Sequence, residues 1–187
     1  MSTGPSRPLQ TSATADVWDL IGAGAARESP LWEAALRPLD LQEREPVFSV
    51  LAREEYKLGL ETIYEGYLVH YGRPRLFAPP DGDTALLLGD YLYAHGVARI
   101  SALQDVAAVA DLSELISLCS QVRAEQTDGD GPLWAATAAF LGRGALDEAR
   151  TALRLHADPQ PLEQAARSAA GDEAVDAALA AHAARRA

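Results

Sequence analysis

The chain has 187 residues, 48 % of them apolar and 23 % charged, with a formal net charge of −11. That length suffices for one domain with a real core, while the acidic balance excludes binding to nucleic acid or an anionic membrane surface, which need basic patches. The single cysteine, Cys119, excludes a disulfide framework or a thiolate metal site within one chain and, set in an apolar run, reads as a buried structural thiol.

In chain order, residues 1–13, rich in Ser, Thr, Pro and Gly, read as a disordered arm. They hold no apolar core of a signal peptide, and no run approaches the 18 or more apolar residues of a membrane span, so a soluble cytoplasmic protein is expected. Residues 14–187 are expected to form one all-α domain of eight or nine helices. A short helix follows Asp16, and a second opens at Ser29-Pro30, a capping residue followed by proline at the first helical position. The next element is expected to open at Asp40 or Glu45-Pro46 and to run to about Tyr71. One of its faces carries Tyr56, Leu60, Ile63, Tyr64, Tyr67 and Tyr71, and a polar stripe carries Glu54, Lys57, Glu61 and Glu65. With three prolines and two glycines, residues 72–83 form a loop.

Asp83 is expected to cap a helix over 84–103, where Asp90 stands out. Its neighbours at helical spacing are Leu86, Leu87, Tyr93, Ala94 and Val97, which predicts that it faces inward. A carboxylate there either belongs to a site or bonds a neighbouring helix, because an unpaired buried charge loses several kcal/mol of solvation. Gly89 and Gly96, seven apart, mark a stripe where another backbone can come close. A helix follows over 105–126, broken by a TDGDGP turn that contains Asp128 and Asp130. Alanine-rich helices over 132–141, 146–157, 161–170 and 173–186 complete the chain, and the stretch 132–165 has the look of one tetratricopeptide-type hairpin. Arg185-Arg186 reads as a favourable helix C-terminal charge. His70 and His95 lie in no ligand spacing and read as ordinary polar residues.

The stretch from 61 to about 126 resembles the trans-prenyl diphosphate synthases, all-α enzymes that join allylic diphosphates to isopentenyl diphosphate. Gly89-Asp90-Tyr91-Leu92 looks like the family's GDYL helix, and His70-Tyr71-Gly72-Arg73-Pro74 stands where the family has RRGKP. Glu61-Thr62-Ile63-Tyr64-Glu65 stands at the first DDxxD motif, and Asp111 through Gln121 at the helix that follows. The resemblance implies a truncated isoprenoid-synthase-like bundle, with residues 14–126 as its core. It also implies Mg²⁺ on Glu61, Glu65 and Asp90 around one hollow, with Arg73, Arg75 and Gln121 toward an isoprenyl diphosphate. Tyr64 and Tyr67 would wall the apolar pocket. The departures are large. Thr62 replaces a central aspartate, His70 and Tyr71 replace paired arginines, and no second aspartate-rich motif follows. A hard cation wants several oxygen ligands at once. The implied function is therefore a non-catalytic accessory or partner subunit, pairing with an active prenyl synthase or with itself. A minimal Mg²⁺-dependent prenyl-diphosphate-binding enzyme and a plain helical interaction module are the alternatives.

Overall fold

A computed structural model describes residues 16–186; the N-terminal arm expected over 1–13 lies outside the described residues. These form nine α-helices and no strand: α1 (Val17–Glu28), α2 (Pro30–Ala34), α3 (Lys57–Tyr71), α4 (Gly82–Ser101), α5 (Val106–Ala124), α6 (Asp130–Phe140), α7 (Asp147–His156), α8 (Gln160–Ala170) and α9 (Asp172–Ala183). The all-α bundle expected from the sequence is what the chain forms. None of these helices is long and apolar enough to cross a membrane.

Side-chain caps open three of these helices. Ser29 accepts from the Leu31 N–H and Pro30 takes the first position of α2. Asp105 caps α5 through the Ala108 N–H at 2.9 Å. Two starts differ from expectation. Asp81, not Asp83, caps α4 through the Thr84 N–H at 2.7 Å. And α3 begins only at Lys57, because the preceding stretch is a series of short 3₁₀ turns that sends Val47, Phe48 and Ser49 into the core. Pro38 and Pro46 remove amide donors there, so a continuous helix cannot form.

The central element is α3: every residue from Gly59 to Val69 is buried. A helix with no solvated face must carry partners for each polar side chain it owns. One side meets the main core built with α5, α6, α8 and α9; the other meets a smaller cluster of Trp18, Ile21, Trp32, Phe77, Leu88 and Leu92. The main neighbour of α6 is α8 rather than α7, so 132–165 does not close on itself as the expected two-helix hairpin.

Helices α3 and α4 cross at backbone distance. A Cβ built on Gly66 would lie 3.0 Å from the Gly89 carbonyl oxygen, and one on Gly96 would lie 3.0 Å from that of Gly59 and 2.4 Å from Ile63 Cγ1. The backbone that approaches the Gly89–Gly96 stripe is thus that of α3. Alanine at position 96 gains about 1 kcal/mol of helix propensity, yet it meets a β-branched side chain that cannot swing away. A net destabilisation of about 1–2 kcal/mol is expected for Gly96→Ala, read as a lower urea midpoint.

Candidate functional site

The residues singled out in the sequence fall into three separate places. The first is a buried ion cluster where the loop after α3 folds back on that helix. Arg75 is 0 % exposed, Glu65 0 % and Glu61 2 %. The guanidinium reaches Glu61 Oε2 from Nη1 at 2.6 Å and Glu65 Oε2 from Nε at 3.0 Å. Its remaining donors go to the backbone carbonyls of Glu45 at 3.0 Å and Glu61 at 3.4 Å. The Trp18 and Tyr64 rings cover it at 4.7 and 4.9 Å. Burial alone would lower the Arg75 pKa, but the two carboxylates outweigh it and raise it.

The cluster has one more negative than positive charge, and local donors absorb the excess. The Ser49 hydroxyl donates to Glu61 Oε1, and the backbone N–H groups of Arg75 and Leu76 donate to Glu65 Oε1 at 2.9 and 2.7 Å. So Glu61 and Glu65 are not a solvated stripe, and neither is held open for a metal: both are consumed by Arg75.

Asp90 is elsewhere. Its side chain is 66 % exposed, and it meets His70 Nε2 at 3.3 Å. The inward placement read from the sequence is corrected. Gly89 and Gly96 of α4 face α3, and Leu86 and Leu87, expected beside Asp90 in the core, are 56 and 57 % exposed. Close backbone approach outweighs side-chain apolarity in choosing the buried face here, because the glycines let two helices share a long contact. Glu61, Glu65 and Asp90 share no hollow, and among the described residues no three His, Cys, Asp or Glu side chains converge as metal ligands. Burial, opposed by Asp90, lowers the His70 pKa, and burial together with Arg99 lowers that of His95.

The second place is the aromatic centre. Tyr64 and Tyr67 do not wall an open pocket; they stack on each other at 6.0 Å and pack edge-on to Trp134 at 5.1 and 5.6 Å. Phe48 and His182 fill the remaining side. The space between α3 and α6 is occupied by these rings. The tyrosine hydroxyls end in a buried polar chain. Tyr67 donates to Asp130, Tyr64 lies 3.0 Å from His182 Nδ1, and His182 Nε2 stands 3.6 Å from Asp130. Burial would raise the Asp130 pKa, but the imidazole and the Tyr67 hydroxyl hold it well below the usual carboxylate range.

The third place is the surface. Arg73 is exposed, and its backbone N–H is tied to the Arg185 carbonyl at 2.9 Å. Gln121, on α5, donates to Glu125 at 2.9 Å. Neither lies with Arg75.

Sequence reasoning missed Asp130, His182 and the C-terminal arginines. Asp130 looked like part of a turn, yet it is 1 % exposed and opens α6. Arg185, 6 % exposed, pairs with Glu43 at 2.8 Å, and Arg186 pairs with Asp128 at 3.1 Å. Just past the end of α9, both arginines pair with acids far away in sequence. Cys119 is buried as expected, and burial raises its thiol pKa well above the ordinary value. Comparison with protein-family models, curated proteins and solved structures returns no match for this chain.

Proposed function

We propose that the chain is a non-catalytic helical subunit that works by contact with another chain, on a frame resembling that of the trans-prenyl diphosphate synthases. The observation that carries this reading is the full engagement of Glu61 and Glu65 by Arg75. Diphosphate ionisation needs free carboxylate oxygens gathered around Mg²⁺, and here the two glutamates at the expected place are spent on the fold. The ring-filled interior supports the same reading, since it leaves no channel beside Tyr64 and Tyr67 for an isoprenoid chain.

Calorimetry of the purified chain with farnesyl diphosphate and Mg²⁺, together with a radiolabelled isopentenyl diphosphate incorporation assay, tests it. No Mg²⁺-dependent heat and no elongated product are expected from the chain alone. Mg²⁺-dependent binding that disappears in Glu61→Gln would overturn the proposal in favour of the minimal enzyme. Mixing with an active prenyl diphosphate synthase separates the subunit from the plain interaction module: a heteromer or a changed product length marks the former.

A further inference from the structure

A cavity of about 200 Å³ opens beside the buried ion cluster, between the start of α1, the 46–50 turn and the first turns of α3. The 3₁₀ turns that send Ser49 inward leave it next to Glu61, and these two, each 2 % exposed, form the floor. Trp18 and Pro46 supply an apolar wall, while Asp16, Val50 and Glu54, all exposed, stand at the rim. The charge is one-sided. The lining holds three carboxylates, of Asp16, Glu54 and Glu61, against the single ammonium of Lys57, which Glu54 already takes at 2.6 Å. Asp16 meets Arg44 at 3.4 Å from outside the lining. Behind the floor, Glu61 and Glu65 share the one positive charge of Arg75, so the cluster is negative by one.

We propose that this cavity binds a small primary amine in its ammonium form, on a short alkyl stem, with Glu61 and Ser49 as its acceptors. The side-chain bond to Arg75 uses Glu61 Oε2, while Oε1 accepts only from the Ser49 hydroxyl. A carboxylate oxygen has room for a second donor, and a hydroxyl that donates keeps lone pairs free to accept. An ammonium carries three donors on a compact head, so it can bond both oxygens without displacing Arg75. A magnesium ion differs, because it demands a near-octahedral set of oxygens that these two groups do not supply. An anion finds no free donor among these side chains, since Lys57 is paired, and a neutral alcohol gains nothing from the excess negative charge. At the ~30 Å³ that a water occupies in the liquid, the cavity takes about six non-hydrogen atoms. That size admits an amine on a four-carbon stem, and the wall of Trp18 and Pro46 gives the stem an apolar surface to cover.

Titration of the isotope-labelled full chain with n-butylamine at neutral pH, followed by NMR in the presence of EDTA, tests the assignment. An alkylamine is protonated there, as lysine is. Saturable shifts at millimolar amine are expected, confined to the Trp18 indole and to the backbone amides of Ser49, Val50 and their neighbours. At the same concentration n-butanol and butyrate should produce none. Val50→Lys, at a position 54 % exposed, brings an ammonium of the chain's own to the rim. It should keep the wild-type melting curve and weaken binding at least about tenfold by competition and repulsion. Ser49→Ala removes one of the two acceptors and should weaken binding about tenfold. Nα-acetyl-lysine amide carries the same ammonium on a body too large for the cavity and should bind no more tightly than n-butylamine. Tighter binding of it would hand the cavity to a lysine side chain of another protein and overturn the free-amine assignment. Shifts that spread over the acidic surface and rise linearly with amine, equal binding of n-butanol, or an affinity unmoved by both variants would also overturn it. The titration contains neither Mg²⁺ nor diphosphate, so its failure and that of the subunit reading are separate results.

Discussion

Replacing Arg75 by methionine is expected to cost about 3–5 kcal/mol, a large share of the stability of a domain. The substitution keeps an unbranched stem but removes the guanidinium and strands two carboxylates that are 2 % and 0 % exposed, and breaking a buried pair from one side exacts that penalty. Total stability of a domain is only about 5–15 kcal/mol. The same side chain also ties the 72–81 loop to α3 and donates to the Glu45 carbonyl, so several contacts fail together. Urea denaturation followed by far-UV circular dichroism reads the loss. A triple variant, Arg75→Met with Glu61→Met and Glu65→Gln, should recover most of it. No charge is then buried, and the amide oxygen of position 65 still accepts from the Arg75 and Leu76 backbone N–H groups. A lone Arg75→Met protein that melts like the wild type would mean that the cluster contributes little to the fold.

Asp130 carries the second large effect. Asp130→Ala removes the acceptor of the Tyr67 hydroxyl and of the Gly131 N–H, the group 3.6 Å from His182 Nε2, and the charge partner of Arg123 and Arg186 at 3.7 and 3.8 Å. Leaving those buried donors unmatched is expected to cost about 3 kcal/mol. Asp130→Asn, which keeps one acceptor oxygen, should cost less. The pH dependence separates charge from shape. Because the folded-state pKa of Asp130 is depressed, its contribution is complete above the unfolded value of about 4 and is lost as pH falls below that toward the folded value. His70 and His95 are depressed as well, so their contribution begins to be lost once pH drops below their ordinary 6.5. Urea midpoints at pH 7.5, 5 and 3 should therefore fall in two stages in the wild type. In Asp130→Asn the first stage remains and the second is reduced; an unchanged second stage would remove Asp130 from the acid response.

Helix count, the all-α class, the Ser29 cap and the start of α5 near Asp105 were legible because they depend on local chemistry. Ser29-Pro30 and Asp105 are decided within four residues of the chain. That some backbone would come close to Gly89 and Gly96 was also legible, but that it is the backbone of α3 was not. What sequence pattern could not give was which face of α4 turns inward. Hydrophobic periodicity points toward Leu86 and Leu87, yet the glycine face wins, and Asp90 goes out with the leucines. Glu61 and Glu65 were visible as a charged pair at helical spacing. Their fate depended on Arg75, ten residues beyond Glu65 and across a proline-rich loop, and no local rule places that side chain between them. The Asp130–His182 contact spans 52 positions and the Arg185–Glu43 contact 142, so nothing local announced them.

The matched glycines at 59 and 66, and at 89 and 96, fix more than a distance. Both pairs are seven apart, so the two crossings hold only in one alignment of the helices. A single added residue within either helix would turn one crossing by about 100° and bring a side chain where a hydrogen now sits. Nor can the connector absorb the change, because Arg75 nails it to α3. Residues 57–101 therefore form a stretch of fixed length, in which substitutions can accumulate more readily than insertions. In the turn at 141–146, length can vary more readily only at the exposed tip, 143–145, where a Cβ on Gly144 would meet no atom within 4 Å, between the buried Leu141 and Leu146.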